Sequence, residues 1–492
     1  MGDLMLPSSL AFVLHLMITV GLALRLLHRK LAVNTTLAWI LILFAVPYVG
    51  IGLYFLFGDY LLGRKRMRVG ERIRGYYQHR YGIEANEAAR EELWAPPHFI
   101  ALGRAMAEHT GFPITTGNSL DILDDAGSML EQMVSDIDAA VDTCFLEFYI
   151  VEPKGRVELV LEALERASAR GVDCRLLADH FGSKALFRSP WVNRLKAQGV
   201  KVIPSLPVTL LKSFSQRTDL RNHRKLIGID QTVGYVGSFN LVDPKHFKKH
   251  AKVGEWVDLM VRLEGDIVDS IGCVFNSDYL FDTVGVDVDF ADPEDLQGLP
   301  NEAKPCRNDG DVALQLLPSG PEMRDSTVYE WVVSAIFAAR HRVSIITPYF
   351  IPDEAILLAL KAAAKRGVDV EILIPEKIDS RLARFASASV YDELLSEGVR
   401  IARYRDGLLH TKALLIDADI AMVGTVNMDT RSFYLNLELT LIVMDEGVVR
   451  ELDRVREAYL EKCDMLYLHA WRERGSLRQF AENVVRLVGP VL

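Results

Sequence analysis

The chain repeats itself, and a repeat restricts the fold more than any local pattern does. Cys144–Ile150 (CFLEFYI) is apolar and aromatic and reads as a buried strand. A helical pattern follows, with Val157, Val160, Leu161 and Leu164 on one face, and Arg170-Gly171-Val172-Asp173 then leads into a second strand, CRLLAD. The same order returns as Val343–Phe350, Ile356–Ala364 and Arg366-Gly367-Val368-Asp369 before VEILIP, and Gly199-Val200 is matched by Gly398-Val399. These offsets run from 196 to 199 residues. Strands alternating with helices build α/β layers. The expected fold is therefore α/β, with two mixed-sheet halves packed about a pseudo-two-fold axis.

Each half also carries His-x-Lys-x4-Asp: His223, Lys225 and Asp230 in NHRKLIGID, then His410, Lys412 and Asp417 in LHTKALLID. Gly237-Ser238-Phe239-Asn240 follows the first copy and Gly424-Thr425-Val426-Asn427 the second, at equal distance from the lysine. One His-x-Lys means little, but two copies with matched tails do not arise by accident. The two motifs are offset by only 187 residues, so the first half holds about twelve extra residues between Val200 and His223. They lie in PSLPVTLLKSFSQRTDLRN, where Leu210, Leu211 and Phe214 alternate with Lys212, Arg217 and Arg221. A long loop beside such a motif is expected to border the site and touch lipid, or to be an ordinary surface insertion.

Two histidines suit phosphoryl transfer. A phosphodiester is anionic, and neutral imidazole attacks it without charge repulsion. One histidine forms a covalent phosphohistidine, and the second protonates the leaving alkoxide and then deprotonates the acceptor. Lysines and amides hold the phosphoryl oxygens. The sequence has no GxxxxGK[ST] loop and no His/Cys cluster, so neither metal nor another cofactor is expected. Without nucleotide the favoured outcomes are hydrolysis or exchange of one phosphodiester for another.

The remaining chain sets the location. Leu6–Leu24 and Leu37–Leu56 are apolar runs of about twenty residues, enough for a transmembrane helical hairpin. Pro47, Gly50 and Gly52 would kink the second run or make it re-entrant. Basic residues follow from Arg64 to Arg74, which favours a cytoplasmic body and attracts anionic lipid. The net charge of −10 argues against nucleic acid as partner, and five scattered cysteines suit a reducing compartment. The expected organisation is a membrane anchor over 1–60, a basic linker over 61–110, a first half over 111–282, an acidic linker over 283–312 and a second half over 313–492. Leu477, Phe480, Val484 and Leu487 share one face of a C-terminal helical pattern that would lie on the membrane or pack on the body.

The doubled motif resembles that of the phospholipase D superfamily. NTTLAWILILFAVPYVGIGLYFLFG, LLPSGPE at 316–322 and ITPYFIPDE at 346–354 further resemble bacterial cardiolipin synthases with an N-terminal membrane hairpin. The resemblance implies a ping-pong reaction in a multi-pass protein of the bacterial cytoplasmic membrane. Phosphatidylglycerol would give its phosphatidyl group to a histidine, release glycerol, and be replaced by a second phosphatidylglycerol as acceptor. It also implies a catalytic set of His223, Lys225, Asp230, His410, Lys412 and Asp417. His223 is then the nucleophile, His410 the general acid and base, and the aspartates support the site rather than react. Asn240, Asn427, Ser238 and Thr425 would bind phosphate. An acidic residue orients each histidine in this family: Glu438 fits in the second half, and Glu255 is the weaker match in the first. Tyr149 and Tyr349 stand at matched strand ends, where the site should open. The anionic membrane is the implied partner, with homo-oligomerisation left open. A membrane-tethered hydrolase using water, and a non-catalytic membrane scaffold, are the competing readings.

Overall fold

The structure, a computed structural model, describes residues 8–28, 33–46, 48–54, 58, 64–83, 95–207, 219–283, 310–321 and 326–486. By their contacts these fall into two compact units, one within 1–64 and 208–220 and the other within 65–207 and 221–492. Leu210, Leu211, Phe214 and most of the acidic linker lie outside the described residues.

In the first unit, helices Ser8–His28, Val33–Ala45 and Val49–Leu53 close around Leu22, Leu26, Trp39, Leu43 and Tyr54. The second apolar run is thus not one helix. It ends at Ala45 and restarts at Val49, after Tyr48 at a positive φ of 64°. A proline at 47 offers no N–H to a helical ladder. A Cβ on Gly50 would come within 2.5 Å of the Ile42 carbonyl oxygen, so the close return of the chain requires glycine. Among the described residues no helix is both long and apolar enough to cross a membrane. The spanning hairpin expected from composition is not displayed by these helices.

The second unit is built on one sheet of fifteen strands. From its middle, the first half runs outward as Ile114–Leu123, Met260–Glu264, Val233–Gly237, Lys225–Ile229, Thr143–Phe148, Asp173–Asp179 and Lys201–Ser205. The second half runs outward as Val312–Ser319, Glu438–Met444, Ile420–Gly424, Ala413–Ile416, Arg342–Ile346, Asp369–Pro375 and Arg400–Tyr404, with Cys463–Leu466 added at its edge. The order is the same in both directions. Ile114 pairs antiparallel with Gln315 at the seam, so the halves share a sheet rather than merely packing together. The sheet is mixed: the three outer strands of the repeat are parallel and the inner ones antiparallel.

Helices cover both faces. One face carries a continuous apolar core from both halves, including Leu226, Val236 and Val261 with Leu316, Leu373 and Leu415. The opposite face carries two separate cores, one under helices Ala126–Ala139 and Val157–Ala169, the other under Thr327–Ala338 and Glu354–Lys365. The stretch read as a linker joins this body. Helix Arg64–Arg80 buries Val69, Ile73 and Tyr77 in the continuous core, and the Tyr77 hydroxyl donates to the Cys273 carbonyl at 2.7 Å. Arg80 pairs with Asp269 at 2.7 Å. Its basic composition had masked a helix whose apolar positions, four apart at 69, 73 and 77, face the core.

Candidate active site

Strands Lys225–Ile229 and Ala413–Ile416 each begin just after a motif histidine, and pair antiparallel with Thr143–Phe148 and Arg342–Ile346 respectively. The histidines therefore stand at the ends of the sheet strands where Tyr149 and Tyr349 emerge. Each is anchored to the other half. The His223 N–H donates to the Leu437 carbonyl at 2.9 Å, and the His410 N–H donates to the Val257 carbonyl at 2.7 Å. The next residue in each case is an acid. The carboxylate of Glu438 accepts from His223 Nδ1 at 2.8 Å, and that of Asp258 accepts from His410 Nδ1 at 2.7 Å. Each half thus supplies a histidine and the carboxylate that orients its partner's histidine. A carboxylate only accepts, so Nδ1 carries the proton and Nε2 keeps its lone pair.

This crossing corrects two expectations. Glu438 serves His223 rather than the histidine of its own half. Glu255 is exposed and contributes only its backbone, its carbonyl accepting from the Leu408 N–H at 2.8 Å. The residue that sequence reasoning missed is Asp258. A signal for it existed in the register: Gly237 lies opposite Met260, and Gly424 opposite Thr440. Two residues before each stands the acid. Glu255, the weaker match, stands three residues before Asp258.

The matched tails now have physical reasons. A Cβ on Gly237 would lie 2.4 Å from the Leu259 carbonyl oxygen, and one on Gly424 2.3 Å from that of Leu439, so the acid-bearing strand comes close only beside glycine. The Ser238 hydroxyl donates to Asp258 at 2.6 Å and accepts from the Leu259 N–H. Thr425 likewise accepts from the Leu439 N–H at 2.8 Å. These hydroxyls therefore hold the acids in place. Asn436 donates to the second Glu438 oxygen at 3.0 Å. Asn240 accepts from the Ile150 N–H while its buried Nδ2 has no protein partner. Asn427 donates to Ser432 and leaves a buried Oδ1 without one. Unpaired buried amide atoms at a polar centre are places for a ligand or water.

Lys225 and Lys412 are buried, and each donates through Nζ to the carbonyl of its own motif histidine at 2.6 Å. The aromatic walls differ between halves. Tyr149 meets His223 edge-on at 4.9 Å, whereas Trp256 covers His410 at 4.2 Å. Tyr349 instead donates to Asp379 at 2.6 Å, and Asp379 pairs with Lys248 at 3.1 Å.

Asp230 and Asp417 are not at this centre. Seven residues of extended chain put them roughly 20 Å from the histidines. Asp230 accepts from the N–H groups of Val141, Asp142 and Thr143, and Asp417 from those of Arg340, His341 and Arg342. Both adopt positive φ, 52° and 54°. Each staples the turn after the motif strand to the start of its neighbour, Thr143–Phe148 or Arg342–Ile346. Asp417→Ala will lower unfolding stability by about 1–3 kcal/mol, because three N–H groups lose a charged acceptor. Turnover per folded molecule should stay within about two-fold, since no reacting group moves; denaturant melts beside specific activity check both.

Residues 133–252 and 332–459 match the family described as cardiolipin synthase, phospholipase D-like domain. The chain is 36% identical to cardiolipin synthase A of Klebsiella pneumoniae subsp. pneumoniae, covering 96% of both chains. The chain belongs to the phospholipase D-like cardiolipin synthase family. The same-named protein of Escherichia coli O1:K1 / APEC is 35% identical over 99% of both chains. Residues 17–58 of this family member also match a phospholipase D-nuclease N-terminal domain. The phosphatidylserine synthase structure from Haemophilus influenzae Rd KW20 shares the fold, with a TM-score of 0.58 at 13% identity over 77% of this chain and 97% of its own.

Burial sets the electrostatics of this phospholipase D-like centre. It pushes His223 down to about 4 and His410 down to about 3, against the opposing pull of Glu438 and Asp258, while the lysines add to the fall. Both imidazoles are therefore neutral near pH 7. Burial also pushes Lys225 down to about 7 and Lys412 to about 8. For Glu438 and Asp258, burial acts upward, but the adjacent histidine and lysines outweigh it and hold both below the ordinary carboxylate range.

Proposed function

We propose that this protein makes cardiolipin from two molecules of phosphatidylglycerol, through a phosphohistidine on His223. The observation that carries the reading is the pair of crossed dyads, His223–Glu438 and His410–Asp258, each beside a buried lysine. Full-length similarity to proteins named cardiolipin synthase A supports the substrate.

The neutral His223 Nε2 attacks phosphorus, and the bond to the glycerol head group breaks. His410 supplies the proton that the glycerol oxygen needs to leave. Its imidazole takes that proton from solvent as the anionic phosphodiester arrives, with Asp258 stabilising the imidazolium. A second phosphatidylglycerol then loses its hydroxyl proton to His410, attacks the phosphohistidine and releases His223. Phosphodiester bonds are conserved. Lys225, Lys412, Asn240 and Asn427 bind the phosphoryl oxygens, whereas Ser238 and Thr425 act through the acids. The N-terminal apolar segments are assigned as the anchor in a bacterial cytoplasmic membrane, with the catalytic body in the cytoplasm.

Membranes given labelled phosphatidylglycerol alone should yield cardiolipin and glycerol. Phosphatidic acid as the sole lipid product would make the protein a hydrolase and overturn the proposal. The lysines give a pH signature. Both are charged below their values and lose charge above them, so kcat/KM should fall as pH rises through about 7 and 8. Bound phosphate holds the lysines protonated, so kcat should fall less. Parallel alkaline loss of both parameters would count against lysine-bound phosphate.

A further inference from the structure

The C-terminal helix Ser476–Arg486 presents its polar side to the protein and its apolar side outward. Its buried side chain is Glu482, 1% exposed, held by Arg474 at 3.2 Å and Arg478 at 3.0 Å. Arg474 in turn lies over the Trp471 ring at 3.6 Å. On the other side, Leu477 is 85% exposed, Phe480 68% and Val484 46%. Positions i, i+3 and i+7 form one stripe, and such a stripe normally faces a core. Helix Arg381–Ala388 packs against this one and adds Leu382, 51% exposed. Arg381, Arg384 and Arg486 are exposed on the same two helices.

The patch is continuous with the active-site end of the fold. Helix Arg381–Ala388 starts two residues after Asp379, the acceptor of the Tyr349 hydroxyl, and it packs on strand Phe350–Ile351. A clustered apolar face on the surface marks an interface. Its basic flanks oppose the chain's net charge of −10 and complement an anionic surface. The occupant that combines apolar depth with phosphate is a phospholipid bilayer.

We propose that this inverted helix seats the catalytic mouth on the membrane. Leu477, Phe480, Val484 and Leu382 enter the boundary between head groups and acyl chains, while Arg381, Arg384 and Arg486 lie among the phosphates. The inference rests on a lipid substrate, and its first test, by quenching, needs no turnover, so failure of either is told apart. The full chain, with Cys306 and Cys463 changed to serine, carries an environment-sensitive fluorophore on Phe480→Cys and is assembled into nanodiscs containing phosphatidylglycerol. The control label sits on Val141→Cys, 73% exposed, beside Asp230 at the opposite strand ends. Brominated acyl chains should quench the 480 label at least about two-fold and leave the 141 label unchanged. Equal quenching at both positions, or none at 480, overturns the proposal. A blue-shifted 480 label that bromine does not quench also overturns it, because a protein surface then covers the patch. In parallel, Leu477→Ser with Phe480→Ser should raise KM for bilayer lipid about five-fold or more. It should leave turnover of a monomeric short-chain phosphatidylglycerol unchanged; an unaltered bilayer KM counts against the idea.

Discussion

His223→Ala and His410→Ala will each reduce cardiolipin formation from phosphatidylglycerol by roughly 10⁴-fold or more. The first removes the atom that bonds to phosphorus. The second leaves an alkoxide to depart without a proton and an acceptor hydroxyl without a base. Because the two act in series on one phosphate, the double variant should be about as slow as either single one. Folding should survive, since the main-chain N–H bond of each histidine remains and the imidazole gives up a single bond, from Nδ1 to the carboxylate. Enzyme incubated with phosphorus-labelled lipid and quenched in alkaline detergent, where the P–N bond of phosphohistidine survives, provides the check on order. A label bound covalently in His410→Ala but absent from His223→Ala assigns the nucleophile to His223; the opposite pattern exchanges the roles, and near-normal turnover in either variant removes the mechanism.

The sequence showed the chemistry more clearly than the geometry. The repeat of strand, helix and Arg-Gly-Val-Asp made the α/β halves legible, because each element is local and each match is independent. The single sheet was not legible. It depends on Ile114 pairing with Gln315, a contact that neither motif signals. The motif aspartates were expected to support the site from within it, because spacing is all a motif displays. Yet a seven-residue step along a strand carries Asp230 and Asp417 to the far end, where they bind backbone N–H groups. The acidic partners failed for a related reason. A long-range pairing decides which histidine each acid reaches, and duplicated halves that exchange residues are invisible to a reading that treats each half alone. The break in the second apolar run was legible in Pro47, Gly50 and Gly52, and the helix does end at Ala45 and restart at Val49.

The exchange itself makes the second large prediction. Glu438→Gln and Asp258→Asn should each lower turnover by roughly 10²–10⁴-fold while leaving shape nearly unchanged. An amide in place of the carboxylate can donate to Nδ1, which moves the imidazole proton to Nε2 and removes the lone pair that attacks or accepts. Leu437 and Val257 still hold the histidine backbones, so the loss should fall on kcat more than on KM. The two variants should then separate with a phosphatidyl donor whose leaving group is a nitrophenolate, which departs without a proton. Asp258→Asn disables the general acid, so the first step should recover and phosphoenzyme accumulate. Glu438→Gln disables the nucleophile, so the better leaving group should restore little. If Glu438→Gln were the one rescued, the acid would be serving the histidine of its own half, and the crossed arrangement would be wrong.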